Sequence, residues 1–516
     1  MLDQTYLDTA HLLNRAGFGA SPDTIQASAR TGIAATTEAL LHPEKGPQDP
    51  DDSSMVQQLA DMVQDKKIKQ TPTQFVKIWW THRMLTTQHP LVEKMVLFWH
   101  GHFTSKLGDG DAMLVQNQLY RREALGNFRT LTLAVSQDAA MLKYLNGNQN
   151  FKAHPNENYA RELMELFTCG IGHYTEDDVK AAARAFSGWN LRQDEFRFNP
   201  RQHDDTPKTF LGKTGNWNGN DIVDMLVAHP ATATRVCKQL FEYFAYPDPE
   251  PAVLKALTET YYISGYDIRA IVGQILKSKA FYSDRARSAI IKSPVQYVIG
   301  SIKMLGLEQA FDTDPADIAD TATSMAADDS ATAPKKGIGD AMRGHKVGRL
   351  AGLTIAMRSM GQDILAPPSV KGWDGEEAWI NSATLLNRIN FANRISQSRP
   401  LYRYLEPIVQ QYAVENNVGV EVAWVDYLAL ALGPLKLAPT ARETLVAFAK
   451  GDGPYAGHTD QFASVEDTPV ADANVPDRPL RKKAGPLRPA PLVGGDQGRM
   501  LALIPLIMAT PEYQVC

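Results

Sequence analysis

Apolar residues recur at intervals of three and four through most of the regular segments of this 516-residue chain, the spacing that lines one face of an α-helix. Many such stripes have to be buried against one another, so the sequence predicts a mainly α fold, a large multi-helix single body. Two stretches break the pattern and read as long irregular loops. Asp312 to Gly344 is rich in Ala, Asp, Thr and Gly, with too few large apolar side chains to offset the entropy of ordering. Gly451 to Gly498 carries Pro469, Pro476, Pro479, Pro486, Pro489 and Pro491, a composition that favours extended backbone. Near residues 194–213, alternating Phe196 and Phe198, a Pro-flanked polar turn and Phe210-Leu211 predict one small inserted β-hairpin. The organisation expected is residues 1–311 as an N-terminal helical body carrying the candidate site, 312–346 as a linker and 347–450 as the C-terminal helical part of the same body. Residues 451–497 then form the Pro/Gly-rich tract, and 498–516 a closing helix and tail.

Charge and motif content narrow the function. Lys and Arg number 53 against 58 Asp and Glu, a net charge of −5, so the basic excess that nucleic-acid backbones demand is missing. Only Cys169, Cys237 and Cys516 are present, which excludes a Cys-based zinc site. The first residues lack the basic and then apolar order of a secretory signal, and Met500 to Ala509 is too short to span a bilayer. The reading is a cytoplasmic chain without a membrane span, with a trimmed signal or export beside a partner as the alternatives. Nucleophile-elbow, phosphate-loop and His-Glu-x-x-His patterns do not occur.

Local signals place the candidate residues. Ser21 before Pro22 predicts a capped helix start, and Thr175 with Asp178 predicts another. On a continuous helix from Asn156 to Phe167, Asn158, Arg161, Glu162 and Glu165 share one face. Two carboxylates one turn apart can ligate a metal or divide acid and base roles, with Arg161 placed to keep Glu165 ionised; a solvated face of ordinary ion pairs has the same pattern. In Phe98-Trp99-His100-Gly101-His102-Phe103 the two imidazoles diverge on a helix and converge only if it ends near Gly101. His203, in Gln202-His203-Asp204-Asp205 at the expected hairpin turn, is a further ligand candidate. The metal set is therefore His100, His102, His203 and Glu162, for a divalent ion. Lys371, Trp373 and Trp379 lie in a glycine-containing loop that can wall a substrate pocket or dock one part of the protein on another.

Eight ordered segments carry a resemblance. They are His11 to Gly19, Phe98 to Phe103, Glu157 to Thr168, Ser187-Gly188-Trp189, His203-Asp204, Lys292-Ser293-Pro294, Val370 to Trp373, and Thr510 to Gln514. Together they make the chain similar, over nearly its whole length, to the bacterial family known as domain of unknown function 1800. The resemblance implies a mostly helical protein, often encoded beside a member of a second family that is itself similar to alkaline phosphatases and sulfatases, and it implies no established activity. It also places polar Asn158, Arg161, Glu162 and Glu165 within a family pattern, which a merely solvated face would not require. Two expectations follow. One is a metal- or carboxylate-dependent enzyme, hydrolytic or oxidative, with its site on the 157–167 helix; the other is a non-catalytic partner that assembles with the phosphatase-like neighbour.

Overall fold

The structure, a computed structural model, describes residues 3–49, 53–65, 71–313, 346–397, 399–452 and 495–516. The expected linker and Pro/Gly-rich tract fall largely outside these residues. The fold is mainly α, and the predicted caps are present: Ser21 accepts from the Thr24 N–H ahead of the Pro22–Thr31 helix, and Thr175 and Asp178 cap Glu176–Phe186 reciprocally. Among the described residues no helix is long and apolar enough to cross a membrane.

Two compact units divide the chain, Met1–Asn387 with Gln514–Cys516, and Arg388–Tyr513. In the second, Arg399–Asn416, Val420–Ala431, Pro439–Lys450 and Asp496–Met508 bury Leu405, Val409, Leu428, Leu445 and Ile504. Arg442 forks onto Asp426 there, with both bonds at 2.7 Å.

The first unit is centred on aromatic residues. Trp79 and Trp80 of Thr73–Thr86 and Trp99 of Pro90–His102 are fully buried. Where one hairpin was expected there are two. Trp189–Arg192 pairs antiparallel with Glu195–Phe198, and Lys208–Phe210 with Lys213–Gly215. Each turn uses two successive residues with positive φ, Gln193 and Asp194 (52° and 59°), and Leu211 and Gly212 (47° and 74°), the backbone that a two-residue hairpin requires. His203 and Asp204 thus lie in the irregular segment between the hairpins.

A second departure concerns the acidic helix, which is α only over Asn158–Glu162 and widens to a π-turn over Leu163–Phe167. Across this widened turn the 100° wheel no longer applies. A bond from the Gly170 N–H to the carbonyl of Met164, six residues back, at 2.7 Å closes the segment, with Gly170 at φ 83°.

Candidate functional site

The site assembles on the face of Pro90–His102 opposite its core stripe. Val92, Met95, Val96 and Trp99 repeat at helical spacing; Lys94, Leu97, Phe98, Gly101 and His102 form a second stripe, and all five line a cleft of about 330 Å³, within the size range of small-molecule sites. Three further helices close round it. Gln4–Arg15 brings Arg15, Pro230–Phe244 brings Gln239, Glu242 and Tyr243, and Pro294–Met304, with Lys292 and Ser293 just before it, brings Gln296. The last wall is the loop with Trp373, Gly375, Glu376 and Trp379.

Backbone fit explains how these parts meet. A Cβ on Gly17 would lie 3.0 Å from the Pro90 ring, and one on Gly300 only 2.7 Å from the Phe18 carbonyl, so glycine allows the turn after Arg15 to wedge between two helices. Gly372 has φ 88°, and a Cβ there would come within 2.8 Å of the Gly101 carbonyl oxygen. That approach lays the loop against the end of Pro90–His102. Trp373 turns inward while Lys371 points to solvent and pairs with Asp374 at 3.2 Å. Of the expected pocket residues, then, Trp373 and Trp379 line the cleft and Lys371 does not. From the chain's end, the Cys516 N–H donates to the Ile290 carbonyl at 2.9 Å and the Gln514 carbonyl accepts from the Lys292 N–H at 2.8 Å. This pairing sets the Cys516 Sγ 3.5 Å from Arg15 Nη1.

Two cations of the cleft, Arg15 and Lys94, are buried. Arg15 is 2 % exposed; its Nη2 donates to the Ala245 and Ala286 carbonyls, while its buried Nε has no partner. Lys94 is 7 % exposed, donates to Gln296 Oε1, and stands 5.3 Å from the ring centres of both Phe18 and Tyr243. No carboxylate forms an ion pair with either among the described residues. Burial pulls Lys94 down to about 8; Arg15 adds to this and Cys516 opposes it. The adjacent Glu93 is equally buried yet fully matched, taking Arg121, Arg83 Nε at 3.2 Å and the Trp80 indole at 3.1 Å. At the rim, Glu376 follows Gly375 in a turn where both have positive φ, 45° and 72°, an arrangement that is strained for a non-glycine residue. Partial shielding of its carboxyl raises its pKa, against an Ile291 backbone bond and Arg15.

The helix runs through Gly101 to His102, so the imidazoles diverge. His100 Nε2 accepts from the Leu365 N–H at 3.0 Å, and its ring lies 5.4 Å from Trp80 and 5.6 Å from Trp373. His102 Nε2 lies 3.0 Å from the Phe167 carbonyl and donates to it. Burial lowers both, His100 to about 3 and His102 to about 4, so both are neutral at physiological pH. His203 Nδ1 donates to the Ser187 carbonyl at 2.9 Å. Among the described residues no three His, Cys, Asp or Glu side chains lie together as a metal site would need. His100, His102, His203 and Glu162 are thus not gathered.

The acidic helix is wired elsewhere. Arg161 pairs with Glu157 at 3.0 Å and with Glu176 at 2.7 Å, not with Glu165. Glu165 accepts from the Tyr174 hydroxyl at 3.3 Å, Asn158 is exposed, and the pKa of Glu162 is raised by partial burial and by Glu165.

The family model for DUF1800, proteins of unknown function, matches residues 11–515. The chain belongs to that family. No curated protein and no solved structure matches it. In this DUF1800 chain seven of the eight segments that carry the resemblance fall into two groups, with Glu157 to Thr168 in neither. Arg15, Phe98, Gly101, His102, Lys292-Ser293 and Trp373 line the cleft, with Gln514 holding the Lys292 backbone. Ser187-Gly188-Trp189 and His203-Asp204 instead bind one another, the Asp204 N–H donating to Ser187 Oγ at 2.8 Å.

Proposed function

We propose that the cleft is the active site of an enzyme acting on a small organic anion, with Arg15 and Lys292 facing the anionic group and Phe98, Trp373 and Trp379 taking the apolar remainder. What carries this reading is Arg15. An arginine cannot shed its charge, and a buried charge without a paired counter-ion is destabilised by several kcal/mol; here the guanidinium meets carbonyls and a sulfur, and keeps a buried N–H unused. An incoming carboxylate, phosphate or sulfonate supplies the missing partner. Charge-assisted bonds of that kind contribute about 1.5–3 kcal/mol each.

Calorimetric titration with phenyllactate, phenyl phosphate and neutral phenylethanol tests it. The acids bind and the alcohol does not, and Arg15→Gln weakens the acids by about tenfold or more, the equivalent of about 1.4 kcal/mol, with circular dichroism verifying the fold. Equal binding of the alcohol, or no acid binding at millimolar concentration, sinks the reading.

A further inference from the structure

We infer that Lys94 is a carbonyl-trapping lysine, forming an imine with the C2 carbonyl of a 2-oxo acid whose carboxylate meets Arg15 in the same cleft. The inference rests on the anion reading above and adds to it a substrate class and a covalent step. Four observations converge. Lys94 lines the cleft. No carboxylate pairs with it; Gln296 braces it with a neutral oxygen and is itself held by donating Nε2 to the Asn14 carbonyl at 3.3 Å. Two aromatic rings flank it, and a cation stands near it. Desolvation and a neighbouring cation are the two devices that turn a lysine into a nucleophile near neutrality. At a pKa of about 8, roughly a tenth of the amine is neutral at pH 7, against well under a thousandth for an ordinary lysine.

The cation and the amine are spaced by the fold rather than by sequence. Arg15 ends one helix and Lys94 lies one turn into another, and Gln296 touches both sides, binding Lys94 Nζ and the backbone just before Arg15. A 2-oxo acid carries its carboxylate directly beside its carbonyl, which suits a cation and an amine on one wall. The neutral amine forms a C–N bond to C2. The former carbonyl oxygen then leaves as water, with one proton from the amine and one from solvent, and a protonated imine remains. Phe98, Trp373 and Trp379 favour an aryl substituent on C3.

The full-length protein is incubated near neutral pH with phenylpyruvate and sodium cyanoborohydride, and the reduced adduct is located by peptide mass mapping. Phenyllactate, which has no carbonyl, is titrated in parallel by calorimetry. The expected result is about one adduct per chain, on Lys94, favoured about tenfold over any other lysine. Lys94→Arg takes none at that position, since a guanidinium forms no imine. Phenyllactate binding with adducts absent, or spread evenly over lysines, overturns the imine and leaves the anion reading standing. Absence of both binding and adduct overturns both. Should Lys94→Arg fail to fold, the wild-type peptide map decides.

Discussion

Arg15 and Arg161 both sit in segments that carry the family resemblance, and they show two uses of the same side chain. Arg161 lies on a wet surface, one-third exposed, with two glutamates within 3.0 Å. Arg15 is kept from water and hydrogen-bonds only to carbonyls and a sulfur, with Glu376 acting on it without an ion pair. Exposed, fully matched pairs contribute little to stability and leave no demand for a ligand. A dry, unmatched cation does leave one. Burial, and not the presence of charged residues in a family pattern, is therefore what separates the cleft from the acidic helix, and three measurements probe that separation.

The largest effect concerns Lys94. Its folded pKa of about 8 is below the ~10.4 of an unfolded lysine. Between those values the unfolded chain binds more protons, so the cost of burying Lys94 is present below about pH 8 and is relieved as pH rises toward ~10.4. Urea unfolding of wild type minus Lys94→Met isolates this contribution from the titrating tyrosines and cysteines. The difference should move in favour of wild type by about 2–3 kcal/mol across that window. A flat difference would mean that Lys94 is solvated and the cleft is no drier than the acidic helix.

Next is Gln296→Glu, which sets a carboxylate directly against Lys94. Lys94 then pairs internally, and phenyllactate affinity should drop by about tenfold or more while the melting temperature holds or rises. Unchanged affinity would show that Lys94 contributes nothing to the cleft's potential. The smallest effect belongs to the acidic helix. Arg161→Ala should cost less than about 1 kcal/mol in unfolding free energy and leave ligand affinity untouched, as calorimetry on the same preparation would show. A large loss of affinity there would return the site to the helix.

Much of the scaffold was legible because its signals are local. Ser21-Pro22 and Thr175 with Asp178 specify caps without help from the rest of the chain, and the spacing of Val92, Met95, Val96 and Trp99 marks a core stripe. Trp373 and Trp379 were also identifiable, since indoles beside glycines in one loop suggest a wall. At the acidic helix a wheel of 100° per residue assumes an unbroken α-helix, and the π-turn at Leu163–Phe167 is a departure that this wheel does not foresee. Arg15 and Lys94 were missed for a different reason. Their partners come from residues some 200 to 500 positions away, Gln296, Ala245 and Cys516, and nothing nearby announces that a charge has no counter-ion. A weak signal was present in Lys94, a lone lysine within a run from Pro90 to Trp99 that is apolar but for it and Glu93. Two opposite charges in so apolar a helix must each find a separate solution.

The contact between Gly101 and Gly372 has a consequence for anyone mapping this protein by saturation mutagenesis. Any side chain at Gly372 meets both a backbone oxygen at 2.8 Å and a φ of 88°, so nearly every replacement should score as a loss. That score will look like the score of a reacting residue, although glycine here only permits two segments of backbone to touch. A fitness map alone will therefore rank a spacer with the amine it helps to enclose; ligand affinity measured on the folded fraction of each variant tells the two apart.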